Sequence, residues 1–361
     1  MAFYISEVCM LQKFISSLPS DVDGALIVSP TNRFFFTDFE SSDGLLIAAK
    51  KGSVFFTDSR YIEAAQNKIT CCEVRELSKI KEQLPEVLAE LDIHRLGAEG
   101  DRLTVNELKA YSAIVEPIEI TCDGIDSLID NVRKIKTQEQ LQRIIKAQRI
   151  AERAFEHILG FIHEGVTEKE IALELDYFML RNGADALSFE TIAISGANTS
   201  KPHGVPTDKP VQSGDYVTMD FGAVVDGYHS DMTRTVAVGK ISDEQRKVYS
   251  TVLRAQLAAL EILREGLPCR DGDEAARRII TEEGYGEFFR HSTGHGVGVE
   301  IHEKPNLSPR AQDVLQSGNI VTVEPGIYLP GKFGVRIEDM VMITPDGCKN
   351  LTFADKNLIL L

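Results

Sequence analysis

Residues 213–222 read Ser-Gly-Asp-Tyr-Val-Thr-Met-Asp-Phe-Gly, and residues 317–326 read Ser-Gly-Asn-Ile-Val-Thr-Val-Glu-Pro-Gly. Five of the ten positions are identical, and an acid, Asp220 or Glu324, stands at the same place in each copy. A helical pair precedes each copy, over 137–182 and 242–284. Three capping boxes open these helices: Thr137 with Gln140, Thr167 with Glu170, and Ser242 with Gln245. Apolar residues at helical spacing follow, with Gly165 and Gly266 as expected stops and Asn182 ending the second helix. The second part of the chain therefore reads as two copies of a helix-helix-hairpin unit. Packed about a pseudo-twofold axis, such copies bring equivalent strands face to face.

The alternation of side chains along a strand then says where the acids go. Tyr216, Thr218 and Asp220 share one face; Val217, Met219 and Phe221 take the buried one. Past a turn bounded by Gly222 and Gly227, the chain returns through Asp231. In the second copy Thr322 and Glu324 share a face, and the return strand carries Arg336 and Glu338 pointing the same way. Each hairpin offers two carboxylates, and the pseudo-twofold gathers all four. At ~4 Å and an effective dielectric near ~20, each anionic pair repels by ~4 kcal/mol. Four such groups share a pocket only if cations hold them. The segment His291-Ser-Thr-Gly-His295-Gly-Val-Gly-Val-Glu-Ile-His302-Glu supplies an imidazole, with glycines that permit close approach. Carboxylate oxygens plus one imidazole suit Mn²⁺, Co²⁺, Zn²⁺ or Fe²⁺ rather than soft ions, and the closed Cys/His structural zinc site is excluded. Singly, Asp220 reads as a turn residue and His295 as a hydrogen-bonded core histidine. Asp220-Phe-Gly is not a kinase triplet, because the catalytic-loop His-Arg-Asp signature is missing, and the glycines at 294–298 are not followed by the Lys-Ser/Thr of a nucleotide-binding loop.

A chain of 361 residues, 43% hydrophobic, is more than one compact core usually holds. We expect a small α/β domain over 1–130, with strands at 25–29, 44–49, 53–57 and 95–98 and helices at 61–66 and 78–91, and a catalytic domain over 131–361. The boundary is placed in the polar stretch 123–135. The net charge of −16 argues against nucleic acid and anionic membrane as partners. Six cysteines without C-x-x-C spacing, and a vicinal Cys71-Cys72 pair poorly placed for a disulfide, fit a reduced, cytoplasmic compartment. Residues 1–17 lack the pattern of a secretory signal, and no apolar run reaches the ~20 residues of a membrane span.

The stretches Lys201-Pro-His203-Gly, Asp220-Phe-Gly, Gly227-Tyr-His-Ser-Asp231-Met-Thr-Arg-Thr, Thr293-Gly-His295-Gly-Val-Gly, His302-Glu-Lys-Pro305, Glu324-Pro-Gly-Ile-Tyr and Arg336-Ile-Glu338-Asp resemble the Xaa-Pro aminopeptidase and prolidase (Xaa-Pro dipeptidase) family. The resemblance covers roughly 137–361 with these motifs in order, and more weakly the N-terminal part. It implies an α+β architecture: the pita-bread fold shared with methionine aminopeptidase and creatinase, preceded by a smaller α/β domain. It implies two divalent metals, manganese first and cobalt or zinc as alternatives, held by Asp220, Asp231, His295, Glu324 and Glu338, with Asp231 and Glu338 bridging. It implies hydrolysis of the bond before proline in small peptides by a hydroxide shared between the metals. Glu324 would act as proton shuttle, His203 and His302 as hydrogen-bond donors, and His291 would orient substrate. Arg336 has two candidate roles: holding the metal carboxylates or pairing with a substrate carboxylate. A homodimer is implied as well. The rival readings are an aminopeptidase with no proline requirement and a non-catalytic binding protein on the same fold.

Overall fold

The computed structural model describes residues 9–361, so the reading of the leading segment as lacking a signal falls partly, over residues 1–8, outside the described residues. The chain divides into two compact units, the first ending at Arg133 and the second running over Lys134–Leu361.

The first unit is a six-stranded mixed sheet with helices. Its strands are β1 (Gly24–Ile27), β2 (Leu45–Ala49), β3 (Gly52–Thr57), β4 (Glu73–Glu76), β5 (Arg95–Ala98) and β6 (Glu119–Thr121), in the spatial order β4-β3-β2-β1-β5-β6. β1, β2 and β3 pair antiparallel, while β4, β5 and β6 join in parallel. Every residue of β1 and β2 is buried, which is why these strands read as unbroken apolar runs rather than alternating ones. The helices are α1 (Met10–Ser17), α2 (Pro30–Thr37), α3 (Ile62–Lys68), α4 (Ile80–Glu90), α5 (Val105–Val115) and α6 (Ile125–Lys134).

One expectation is corrected here. Residue 29 does not end a strand but caps α2: its hydroxyl accepts from Asn32 N–H, and Pro30 takes the first turn, where its missing N–H costs nothing. The polar stretch 123–135, in which the boundary is placed, is helical over most of its length. It forms α6, whose Ile125, Ile129 and Arg133 make one buried stripe at four-residue spacing while its acids take the other faces.

The second unit contains the duplication. The first half runs α7 (Gln138–Leu159), α8 (Glu168–Arg181), β7 (Ala186–Leu187), β8 (Ile192–Ser195), β9 (Tyr216–Phe221), β10 (Ala223–Val225), β11 (Tyr228–His229) and β12 (Met232–Ala237). The second runs α9 (Asp243–Ile262), α10 (Cys269–Glu282), β13 (Gly294–Gly296), β14 (Glu303–Leu307), β15 (Ile320–Val323), β16 (Gly326–Leu329), β17 (Phe333–Arg336), β18 (Asp339–Thr344) and β19 (Gly347–Asn350). The three capping boxes are present, with each side chain and its reciprocal backbone bond formed. β8-β9-β12 in one sheet correspond to β13-β15-β18 in the other. Residues Val217, Met219 and Phe221 pack with α7 and α8 in one core, and Val321 and Val323 pack with α9 and α10 in a second.

The opposite faces of the two hairpins meet. Thr235 Oγ1 donates to the Arg336 carbonyl at 3.0 Å, Thr233 Oγ1 donates to Glu338 Oε2 at 2.6 Å, and Glu338 N–H donates to the Thr233 carbonyl at 3.1 Å. Behind this seam lies Arg234, 1% exposed. It donates to the carbonyls of Thr233, Glu338, Ala354 and Asp355 and to the wholly buried carboxylate of Asp339 at 2.8 Å. Removing Arg234 leaves the buried Asp339 with Lys356 as its one remaining cation among the described residues and strips the carbonyls of Glu338, Ala354 and Asp355 of a donor. Arg234→Met should therefore destabilise the second unit by about 3–5 kcal/mol, read as a lowered midpoint in chemical denaturation. An unchanged midpoint would show that the seam does not depend on this clamp.

Candidate metal centre

The duplicated topology delivers its acids to equivalent places. Asp220 lies near the end of β9 and Glu324 just past β15; Asp231 immediately precedes β12 and Glu338 immediately precedes β18. His295 is the middle residue of β13. All five line one cavity of about 610 Å³. Single ligand atoms of Asp231, His295 and Glu338 lie within 4.8 Å of one another. His295 Nε2 stands 3.4 Å from Glu324 Oε1 and 3.6 Å from Asp231 Oδ2.

The strand carrying His295 is pressed against its neighbour. A Cβ on Gly294 would lie 1.9 Å from the Thr322 carbonyl, and one on Gly296 would lie 2.4 Å from that of Lys304. Only glycine fits at either position. The backbone N–H of His295 donates to Thr322 Oγ1 at 3.1 Å, and its Nδ1 faces the Gly296 carbonyl at 3.1 Å. A carbonyl only accepts, so Nδ1 carries the proton and Nε2 turns its lone pair toward the carboxylates. That is the tautomer a metal ligand needs.

The electrostatics of the bare cluster are unfavourable. Burial, together with the charges of Glu338, Asp220 and Glu324, pushes the Asp231 carboxyl well above the usual range. Burial and the facing Glu324 and Asp220 do the same to Glu338, against the opposing Thr233 hydrogen bond. Burial raises Glu324 to about 8, although Arg336 opposes it. Burial, aided by His302, lowers His295 to about 4. One oxygen each of Asp220, Asp231 and Glu338 is buried without a hydrogen-bond partner. Three orphaned carboxylate oxygens and an imidazole lone pair in one cavity are a donor set that fits hard to borderline divalent cations.

The remaining expected site residues separate. His203 and His302 are exposed on the cavity wall, and the His302 ring stands edge-on to His295 with centroids 4.4 Å apart. The nitrogens of His291 are both engaged: Nδ1 donates to the Ser292 carbonyl at 2.8 Å and Nε2 meets Tyr328 OH at 2.9 Å. Burial and the nearby Arg336 hold its ring neutral, with the pKa lowered to about 4. Arg336 donates to Thr233 Oγ1 at 3.0 Å, Tyr328 OH at 2.9 Å, the Pro202 carbonyl at 3.2 Å and Asp220 Oδ2. Burial works against its charge, but the facing Tyr328, Asp220 and Glu324 outweigh that and keep it protonated. Of the two roles open to Arg336, the geometry supports holding a carboxylate of the cluster.

Sequence reasoning gave no role to Thr233, Thr322, Tyr328 or Arg234, although all lie within or beside the quoted motifs. Hydroxyls opposite acids across paired strands were the available signal, since Thr233 is the register partner of Asp220.

The sign of the pH dependence follows from these shifts. Glu324 binds its proton more tightly in the fold than in the unfolded chain, so its contribution is present at low pH and lost as pH rises toward 8. His295 and His291 titrate the opposite way but only below about 6.5. Between pH 6.5 and 8 the metal-free protein should therefore lose thermal stability as pH rises. Added divalent metal should raise the melting temperature most at pH 8, because ligand protons compete with the ion. Melting curves with and without chelator check this; a metal-free protein steadier at pH 8 than at 6.5 would contradict it.

Residues 142–345 match metallopeptidase family M24, and residues 12–135 match the Creatinase/Prolidase N-terminal domain. The chain is 36% identical over 355 residues to a Xaa-Pro dipeptidase of Pyrococcus furiosus, covering 97% of this chain and 99% of the relative. Among solved structures it resembles a Xaa-Pro dipeptidase from Bacillus anthracis at a TM-score of 0.94 and 41% identity, covering 98% and 99% of the two chains. It also resembles an X-Pro aminopeptidase from Thermotoga maritima at a TM-score of 0.90 and 36% identity, covering 97% and 99%.

Proposed function

This chain belongs to metallopeptidase family M24, and on that premise we propose that it hydrolyses the peptide bond between an N-terminal residue and a following proline. The observation that carries the reading is the convergence of Asp220, Asp231, His295, Glu324 and Glu338 on one cavity, with three of their carboxylate oxygens unsatisfied. These five residues would hold two divalent ions, with Asp231 and Glu338 serving both and manganese as the favoured metal. When bound, such ions supply a Lewis acid for the carbonyl and a water ionised near neutral pH.

The protein's own groups have distinct tasks. Glu324 takes a proton on its carboxylate and passes it to the leaving nitrogen. For a prolyl bond this nitrogen is a tertiary amide and must be protonated before it departs. His203 and His302, on the cavity wall, donate to the carbonyl oxygen as charge develops on it. Arg336, through Asp220 and Tyr328, fixes the cluster and the neutral His291. We propose a homodimeric, cytoplasmic enzyme, which light scattering and fractionation can test.

Glu338→Ala or Asp231→Ala should abolish turnover and metal loading together; two bound metals with retained turnover in either variant would refute the bridging assignment. His302→Ala should lower kcat by about 10²-fold with metal content unchanged. The reading as a whole is tested by metal-loaded protein on Ala-Pro-Ala and Ala-Ala-Ala, with products read by mass spectrometry. Release of alanine from the first and not the second is expected. Equal cleavage of both would favour an aminopeptidase with no proline requirement, and cleavage of neither would favour a non-catalytic protein.

A further inference from the structure

We propose that the preferred substrates are peptides that continue beyond the proline, and that a free carboxylate on the proline is disfavoured; this rests on the prolyl-peptidase reading above. Among the described residues lining the cavity, Arg336 is the sole lysine or arginine. It is 3% exposed. Its Nε, Nη1 and Nη2 all donate within the protein, to Thr233, to Tyr328 and Pro202, and to Asp220. Turning it toward a substrate would strip Asp220 of its partner and leave Tyr328 without the donor that orders His291. The guanidinium is spent on the site itself.

The rest of the wall points the same way. Glu190 lines the cavity with an exposed carboxylate that forms no ion pair among the described residues, an acid outside the proposed ligand set. Asn306, half-buried on β14, offers the cavity a neutral amide that makes no hydrogen bond among the described residues. An amide donor and acceptor matches the N–H and C=O of a continuing peptide, not a lone anion. In a dipeptide, the proline carboxylate sits about one residue length, roughly 3.5 Å, from the scissile nitrogen, and among the described lining residues no lysine or arginine is left to pair with it. A peptide bond in its place has no charge to satisfy. A cavity of about 610 Å³ also has room for more than two residues, since pockets of this size hold drug-sized ligands.

The test compares kcat/KM of the manganese-loaded protein on Ala-Pro, Ala-Pro-amide and Ala-Pro-Ala. Ala-Pro-amide isolates the charge, because it adds no residue. We expect the amide and the tripeptide to exceed the dipeptide by about tenfold or more, with the gap narrowing at high salt. An advantage of the amide below about threefold overturns the proposal. Failure to cleave any of the three, with metal bound, instead overturns the prolyl-peptidase reading on which it rests. Asn306→Lys, which adds a cation to the wall, should raise the dipeptide value relative to the amide; an unchanged ratio would show that charge is not the cause.

Discussion

Buried carboxylates that repel one another are the constraint around which the second unit is organised. Asp231, Glu338 and Glu324 are each driven toward the protonated form by burial and by neighbouring acids, Asp220 among them in every case. Arg336 compensates one charge through Asp220. A single guanidinium cannot offset four acids in a medium where each close pair costs several times what it does in water. Left alone the cluster binds protons; offered divalent cations, it exchanges them. The same imbalance that destabilises the bare fold is the source of metal affinity.

The fold supplies the rigidity that keeps the acids together despite their repulsion. Each half has a helix pair behind its sheet, and the two polar faces are joined by Thr233 and Thr235 reaching across to Glu338 and Arg336. Thr233 has a double duty, donating to Glu338 Oε2 while accepting from Arg336 Nε. Arg234 points the other way on the same strand and locks the backbone carbonyls of Thr233 and Glu338 from behind. Alternation along β12 thus gives one residue to the site and the next to its support. Close packing of β13 at Gly294 and Gly296 brings His295 to the acids from a third direction.

Much of this was legible in the residues. The ten-residue repeat, the three capping boxes and strand parity placed Asp220, Asp231, Glu324 and Glu338 correctly relative to one another, because duplication and period-two alternation are strictly local rules. The glycines around His295 signalled close approach. What the residues did not reveal were relations set by tertiary contact. Thr233 and Tyr328 look like ordinary strand residues until the opposing hairpin is in place. His291 reads as one of several equivalent pocket histidines, and only the Tyr328 and Ser292 hydrogen bonds distinguish it from His302. Residue 29 was misread for a different reason: the apolar run before it was weighed above the capping serine before Pro30.

The account stands on the claim that the seam between the two hairpins is a seat for two cations. Diffraction from crystals of the manganese-loaded protein, collected at the manganese absorption edge, addresses it directly. The account predicts two anomalous peaks in the cavity, one on the Asp220 side and one on the His295 and Glu324 side, with Asp231 and Glu338 between them. No peak there, or Asp220 and Glu324 turned away into separate surroundings, would contradict it.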